Sequence, residues 1–215
     1  MVTAGGAAAA SLWPTAPTQV HEQAGVHFHR DPGGWFRRYT AGEIEFVTMR
    51  AARVAHLIAT FGLEEPEDAH RRFERAYAPA FRDALRLFDD VADLLQAAAR
   101  AALPVGLLTN SAAHATAEKL EVVGLSGAFP VVATTDTLGF GKPDPRAFLH
   151  ACERMGAAPA RTAYVGDDLV VDALAAREAG LTGIWLDRRG TWDGRDVGVP
   201  VVRSLGELGR LLPDG

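Results

Sequence analysis

Thr162-Ala163-Tyr164-Val165-Gly166-Asp167-Asp168-Leu169-Val170-Val171-Asp172 decides the fold. Residues 162–167 form a short apolar run that stops at Gly166 and two acids, the pattern of a buried strand. Residues 169–179 then read as a helix, ended by Gly180. A strand passing directly into a helix is half of a parallel βαβ unit, and the same alternation recurs on both sides. Upstream, a helix over 91–98 precedes a strand at 104–109, then a helix at 113–123, a strand at 131–135 and a helix at 147–155. Downstream lie strands at 183–187 and 199–202 and a closing helix, where Ser204 and Glu207 have capping-box spacing. Continuous apolar strands between helices predict a parallel sheet covered on both faces, a doubly wound α/β core.

The segment before this core is different. Ile44, Val47, Ala51, Val54, Leu57 and Phe61 recur at three-to-four spacing, and Gly62 supplies a stop. Pro66 suits the first turn of a second helix, whose stripe is Phe73, Ala76, Tyr77, Ala80, Phe81 and Ala84, with a kink expected at Pro79. Residues 35–87 are therefore expected to make a small helical lobe. Residues 1–34 are rich in Ala, Gly and Pro and carry no periodicity that assigns an element.

With 215 residues, the chain suits one good core and a smaller lobe. Hydrophobic residues at 48% and charged residues at 23% describe a globular chain rather than a disordered one. The net charge of −5, without a Lys/Arg stripe, argues against nucleic acid as a partner. No apolar run reaches the ~18 residues of a membrane span, so no membrane partner is expected. The Ala/Gly-rich start has no basic residue ahead of it, unlike a secretory signal. Cys152 is the single cysteine, which excludes a disulfide framework and reads as a packing residue in a cytoplasmic protein.

In open parallel sheets, functional groups gather at the carboxyl ends of the strands. Here those ends carry Thr109-Asn110-Ser111, then Asp136, Asp167-Asp168 and Asp187, with Gly139-Phe140-Gly141-Lys142-Pro143-Asp144-Pro145 between the second and third. A hydroxyl, a lysine and clustered carboxylates are the residue types that phosphoryl transfer uses, the first two for phosphate oxygens and the acids for Mg²⁺. Each also has a plain reading. Thr109-Asn110 could open a turn, Lys142 could be an exposed loop lysine, Asp167 and Asp168 could cap the next helix, and Asp172 could be a helix-surface acid. His27 and His29, with His21 near, would share one side of an extended segment but lack a third metal ligand.

Taken in order, these motifs resemble the haloacid dehalogenase (HAD) superfamily. Leu107-Leu108-Thr109-Asn110-Ser111 is similar to its second motif, Gly141-Lys142-Pro143-Asp144-Pro145 to its third, and the run from Val165 to Asp172 to its fourth. The resemblance implies a Rossmann-like core, residues 1–18 and 88–215, with a helical cap, residues 19–87, inserted after the first strand. It implies that Thr109 binds the transferring phosphoryl group with support from Asn110. Lys142 would neutralise the nucleophile, and Asp167 and Asp172 would hold Mg²⁺. The implied reaction is hydrolysis of a small phosphate monoester, so the implied partner is a small phosphorylated metabolite. A dehalogenase would need the same first acid, and a receiver-type signalling domain would explain neither the cap nor the lysine loop.

The family's first motif, a strand ending in Asp-x-Asp-x-Thr/Ser-Leu, supplies the nucleophile. The candidate here is Ala7-Ala8-Ala9-Ala10-Ser11-Leu12, where Ala7 and Ala9 stand in the acid positions and Ser11 in the hydroxyl position. Alanine cannot accept a phosphoryl group, and Asp31 sits in a Pro-Gly turn with no strand before it. Three explanations stand side by side: a pseudoenzyme that keeps the phosphate cradle, an N-terminal segment that is not the ancestral strand, or turnover through another group. The resulting expectation is an impaired or inactive phosphatase. Its alternative is a non-catalytic protein that binds a phosphorylated ligand or a protein partner.

Overall fold

A computed structural model describes residues 1–209, and the last residues of the expected core, 210–215, lie outside the described residues. The chain forms two compact units, Met1–Arg86 and Leu87–Gly215.

The first unit is helical: α1 (Val2–Leu12), α2 (Thr18–Arg30), α3 (Trp35–Thr40), α4 (Phe46–Phe61) and α5 (Ala69–Ala84). Residues 1–18, expected with the α/β core, instead belong to this unit. The alanine run is a helix rather than a strand because alanine has the highest helix propensity, and here its small side chains face a neighbour. Ala4, Gly5, Ala8 and Ala9 are buried on α1, as are Ala24 and Gly25 on α2. A Cβ on Gly25 would strike the Val2 carbonyl and lie 2.7 Å from the Gly6 nitrogen, so the α1–α2 crossing requires glycine there.

The rest of this core is aromatic. Phe28 packs against Phe73 with ring centroids 4.7 Å apart, and Tyr77 continues the stack. Arg50 lies between the Phe28 and Tyr77 rings, 4.7 and 4.5 Å from their centroids. It also donates two parallel bonds to Glu74, at 2.8 and 3.0 Å. The apolar face of α4 is rotated from the expected stripe: Met49, Val54, Leu57 and Ile58 are buried, whereas Val47 is 65% exposed. Gly62 ends α4 at φ 60°, as expected. Pro79 is carried inside α5, which begins three residues after Pro66.

The second unit is α/β with parallel strands. In chain order it contains α6 (Asp90–Arg100), β1 (Leu107–Thr109), α7 (Ala113–Val122), β2 (Val132–Thr134) and α8 (Thr135–Leu138). Next come α9 (Pro145–Met155), β3 (Ala163–Gly166), a π-helical turn (Leu169–Leu174) and α10 (Ala175–Glu178). It closes with β4 (Thr182–Leu186), β5 (Val201–Val202) and α11 (Leu205–Gly209). Every strand falls within a predicted apolar run except the first residue of β4. The closing helix has its predicted cap, with the Glu207 N–H donating to Ser204 at 3.3 Å.

The sheet is divided, however. Among the described residues β1 pairs only with β2, and β3–β4–β5 form a second sheet, all in parallel register. β1 and β3 therefore each present an unpaired edge. Consistent with that, Ala163 is exposed and the rest of β3 only half-buried, although its sequence predicted full burial. One apolar cluster holds Leu108, Ala133, Phe148, Cys152, Ala175 and Ala176. A second joins Ile184, Val202 and Leu208 with Leu94 and Val165.

Candidate active site

The carboxyl ends of β1 and β3 meet at Lys142. Asn110, just past β1, grips the lysine's own main chain: its Nδ2 donates to the Lys142 carbonyl at 2.8 Å, and its Oδ1 accepts from the Lys142 N–H at 2.7 Å. Gly141 permits this approach, because a Cβ there would crowd the Asn110 amide. The peptide bond between Lys142 and Pro143 is cis. Asp144 then caps α9, accepting from the Arg146 N–H at 2.9 Å, and Pro145 occupies the first turn. The Arg146 side chain bonded to Asp144 also holds its carboxyl below the usual range.

The lysine side chain is just as constrained. Its Nζ donates to Asp172 Oδ1 at 2.6 Å and to the Tyr164 hydroxyl at 2.7 Å, with only 11% of the lysine side chain and 6% of the aspartate exposed. Tyr164 in turn donates to the Leu108 carbonyl at 3.2 Å. Burial first, and the adjacent Asp172 second, push the Tyr164 hydroxyl well above its ordinary pKa, so it remains a neutral donor. Asp172 Oδ2 accepts from the Asp168 N–H at 3.1 Å. Gly166 makes room for that carboxyl, where a side chain would collide with it.

Each predicted site residue can now be placed. Thr109 ends β1, and its hydroxyl accepts from the Ser111 N–H at 3.2 Å. Asn110 positions Lys142, and Lys142 and Asp172 form a buried ion pair. Asp172 is thus no surface acid: it lies on the π-helical turn and is 4% exposed. Asp168 is a cap, accepting from the Val170 and Val171 N–H groups at 2.9 and 2.8 Å. Asp167 is exposed, and its side chain makes no hydrogen bond among the described residues, while its carbonyl accepts from the Trp185 indole at 3.2 Å.

The outer acids are structural. Asp136 accepts from the Ala113 N–H at 2.6 Å, at the start of α7. Asp187 is buried, and burial alone would raise its pKa. Bonds from the Thr191 hydroxyl (2.9 Å) and the Trp192 N–H (2.7 Å) outweigh that and lower it.

Ala7, Ala9 and Ser11 are on a helix, not on a strand. They lie on α1 in the helical unit, with Ala9 buried and Ala7 and Ser11 exposed, so the alignment of residues 7–12 with a first strand is withdrawn. Asp31 accepts from the Phe36 N–H at 2.6 Å and pairs with Arg53 at 3.5 Å, again in the helical unit. His27 and His29 sit on α2, not on an extended segment, so they point to different sides of a helix. His27 Nε2 instead meets His56 Nδ1 at 3.1 Å, and His21 meets the Trp13 carbonyl at 2.9 Å.

Mg²⁺ requires near-octahedral oxygen coordination, typically with one or two carboxylates. Asp172 is tied to Lys142 and Asp168 to its cap, which leaves Asp167. Among the described residues no three His, Cys, Asp or Glu side chains could hold a metal ion. Among the described residues, the acids at this rim therefore offer Mg²⁺ one uncommitted carboxylate, Asp167.

Tyr164 was missed in the sequence. It was legible there as a polar aromatic in an otherwise apolar strand, since a buried tyrosine hydroxyl needs a partner.

A model of the haloacid dehalogenase-like hydrolases matches residues 4–180. A phosphoserine phosphatase of Thermus thermophilus is 34% identical over 153 residues, 70% of this chain and 61% of the relative. A phosphoglycolate phosphatase of Thiobacillus denitrificans is 43% identical over 95 residues, 44% of this chain and 41% of the relative. The chain thus spans less than two thirds of the length of these curated relatives. Among solved structures, a HAD phosphatase from Thermococcus onnurineus superposes with TM-score 0.66 at 22% identity, covering 99% of this chain and 88% of that one. L-2-haloacid dehalogenase from Xanthobacter autotrophicus gives 0.73 at 21% identity, covering 98% and 92%. At such identities the superpositions speak for the fold alone. The chain belongs to the haloacid dehalogenase-like hydrolases.

Proposed function

We propose that this chain carries the phosphate cradle of a small-phosphomonoester hydrolase and that its described residues hold a phosphate ester without cleaving it efficiently. The observation that carries this reading is the Lys142–Asp172 pair, fixed by Asn110 and Tyr164 where the carboxyl ends of β1 and β3 converge. The fixed Lys142 ammonium supplies a charge, and the Thr109 hydroxyl at the end of β1 a donor, for phosphate oxygens without reorganisation. Cleavage in this family proceeds by carboxylate attack, and the site's acids have other work: Asp172 is ion-paired and Asp168 is a cap. Asp167 is the acid free to meet an incoming group. The phosphatases at 34% and 43% identity support a phosphate ester over a haloacid. The helical unit serves as the cap that selects substrate. Buried, unpaired Cys152 suits a cytoplasmic setting, and among the described residues no helix is long and apolar enough to cross a membrane.

The test is titration with inorganic phosphate and small phosphate esters, with Mg²⁺ and with EDTA, followed by assay of released phosphate. Saturable binding that survives EDTA and is lost in Lys142→Met/Asp172→Asn, without release above blank, is the expected result. Mg²⁺-dependent release that disappears in Asp167→Asn would overturn the binding-only part and make the chain a working phosphatase. Absence of any binding would overturn the cradle itself; a protein-binding role would then be the next reading.

A further inference from the structure

One face of α2 does not pack into the helical core. Ala24, Gly25 and Phe28 are its buried residues, whereas Gln23, Val26, His27 and Arg30 recur at i, i+3, i+4 and i+7 on another face. Those four side chains line a cavity of about 360 Å³ together with Pro32 and with Phe61, the last residue of α4. That volume lies at the small end of the range for ligand pockets, about 300–1,000 Å³. The cavity belongs to the helical unit alone, since all six residues fall within Met1–Arg86.

Its walls are chemically selective. Val26, Pro32 and Phe61 are apolar, and the Phe61 ring meets the His27 ring edge-on, with centroids 5.5 Å apart, so two flat groups form a corner. The Arg30 guanidinium and the Gln23 carboxamide are exposed and make no side-chain hydrogen bond or ion pair among the described residues. His27 bonds through Nε2 to His56 Nδ1 at 3.1 Å. Burial first, and His56 second, lower the His27 pKa against the opposing charge of Asp31, so the ring is largely uncharged at neutral pH. Asp31 itself is held by the Phe36 N–H and by Arg53. One standing positive charge, a spare amide and an apolar corner therefore face the same space.

We propose that this cavity binds a small monocarboxylate with a flat apolar body. A single guanidinium is a planar fork that takes a carboxylate bidentately, and its one charge is balanced by a monoanion rather than by the dianion of a phosphate. The Gln23 amide donates a further bond, while the apolar body fills the corner between Phe61 and His27 against Val26. Such a ligand bridges α2 and α4 and so stabilises the helical unit. Arg30 also lies in the last turn of α2, where any cation complements the helix dipole. Lysine would keep that role and lose the fork. The proposal does not depend on the phosphatase reading.

The experiment uses the full chain, isotopically labelled, and follows the His27 and Phe61 ring signals during titration with benzoate, benzamide and acetate. Saturable benzoate binding is expected, with benzamide (no charge) and acetate (no ring) each weaker by about tenfold or more. Arg30→Gln and Gln23→Glu, both at exposed positions, should each weaken benzoate by about tenfold or more while the fold is kept. Arg30→Lys should bind more weakly than the unaltered chain. Benzoate binding equal in the unaltered chain and Arg30→Gln overturns the proposal, as does benzamide binding as tightly as benzoate. Absence of saturable binding at millimolar benzoate overturns it too. Inorganic phosphate should leave the benzoate-induced shifts unchanged. Displacement by phosphate, with shifts at Lys142 instead of His27, overturns the cavity and leaves the cradle standing, so the two readings fail separately.

Discussion

In the helical unit Met1–Arg86 the smallest residues face inward, whereas in the α/β unit Leu87–Gly215 the strands divide between two sheets. Ala4, Ala8, Ala24 and Gly25 bring α1 and α2 into backbone contact, and the aromatic stack from Phe28 to Tyr77 fills what remains. The α/β unit divides its described strands between two sheets and ties its functional lysine by four hydrogen bonds. The difference teaches that closeness of packing and chemical readiness are separate properties, and each can be disturbed without the other.

The largest disturbance is expected from Lys142→Ala. It strands Asp172 as a buried charge without its partner, which costs about 3–5 kcal/mol. Thermal unfolding should show the loss in the transition of the α/β unit, with the helical unit unmoved. A common shift of both transitions would break the comparison. Next is Gly25→Ala, where the added methyl must displace the Val2 carbonyl or the Gly6 backbone. Forcing extra volume into a packed contact costs about 1–3 kcal/mol, read as a lower denaturant midpoint for the helical unit alone.

Asp90→Asn should cost less, about 1–2 kcal/mol for charge-assisted bonds that are partly solvated. Asp90 accepts two bonds from Arg188, each 2.8 Å, and one from the Leu205 N–H at 2.8 Å, tying α6 to α11. The Arg188 guanidinium, opposed by some desolvation, holds the Asp90 carboxyl below its ordinary range. A depressed folded pKa stabilises fully above the unfolded value, near 3.9, and that stabilisation disappears as pH falls through the folded value. The deficit of Asp90→Asn should therefore be complete at neutral pH and fade below about pH 4. A deficit that stayed constant into that range would refute the linkage. The smallest effect belongs to Asp167→Asn, an exposed position without a side-chain hydrogen bond. Stability should move within about 0.5 kcal/mol while any response to phosphate or cation changes. That split separates a residue kept for chemistry from one kept for structure.

How much of this could be read from the sequence depends on the range of the interaction. All five strands, and the lysine loop with its neighbours Asn110 and Asp172, were visible because apolar runs and motif spacing are local signals. α1 and α2 were not. Their Ala/Gly pattern has no amphipathic contrast, and its meaning lies in a contact between residues twenty apart, Gly5 and Gly25. The acids at the rim were overcounted for a related reason. Sequence alone cannot tell that Asp168 caps a turn, that Asp136 serves α7 or that Asp187 serves its own loop. The divided sheet was hidden because strand pairing is non-local, and an apolar run looks the same whether or not its edge is paired.

The Trp185 indole bonded to the Asp167 carbonyl has a practical consequence. The chain has four tryptophans, and Trp13 and Trp35 belong to the helical unit. Trp192 is occupied by the Arg195 carbonyl in its own loop. Trp185 is thus an intrinsic fluorophore one peptide group from the free acid, and its emission should report arrivals at the site without any dye or label.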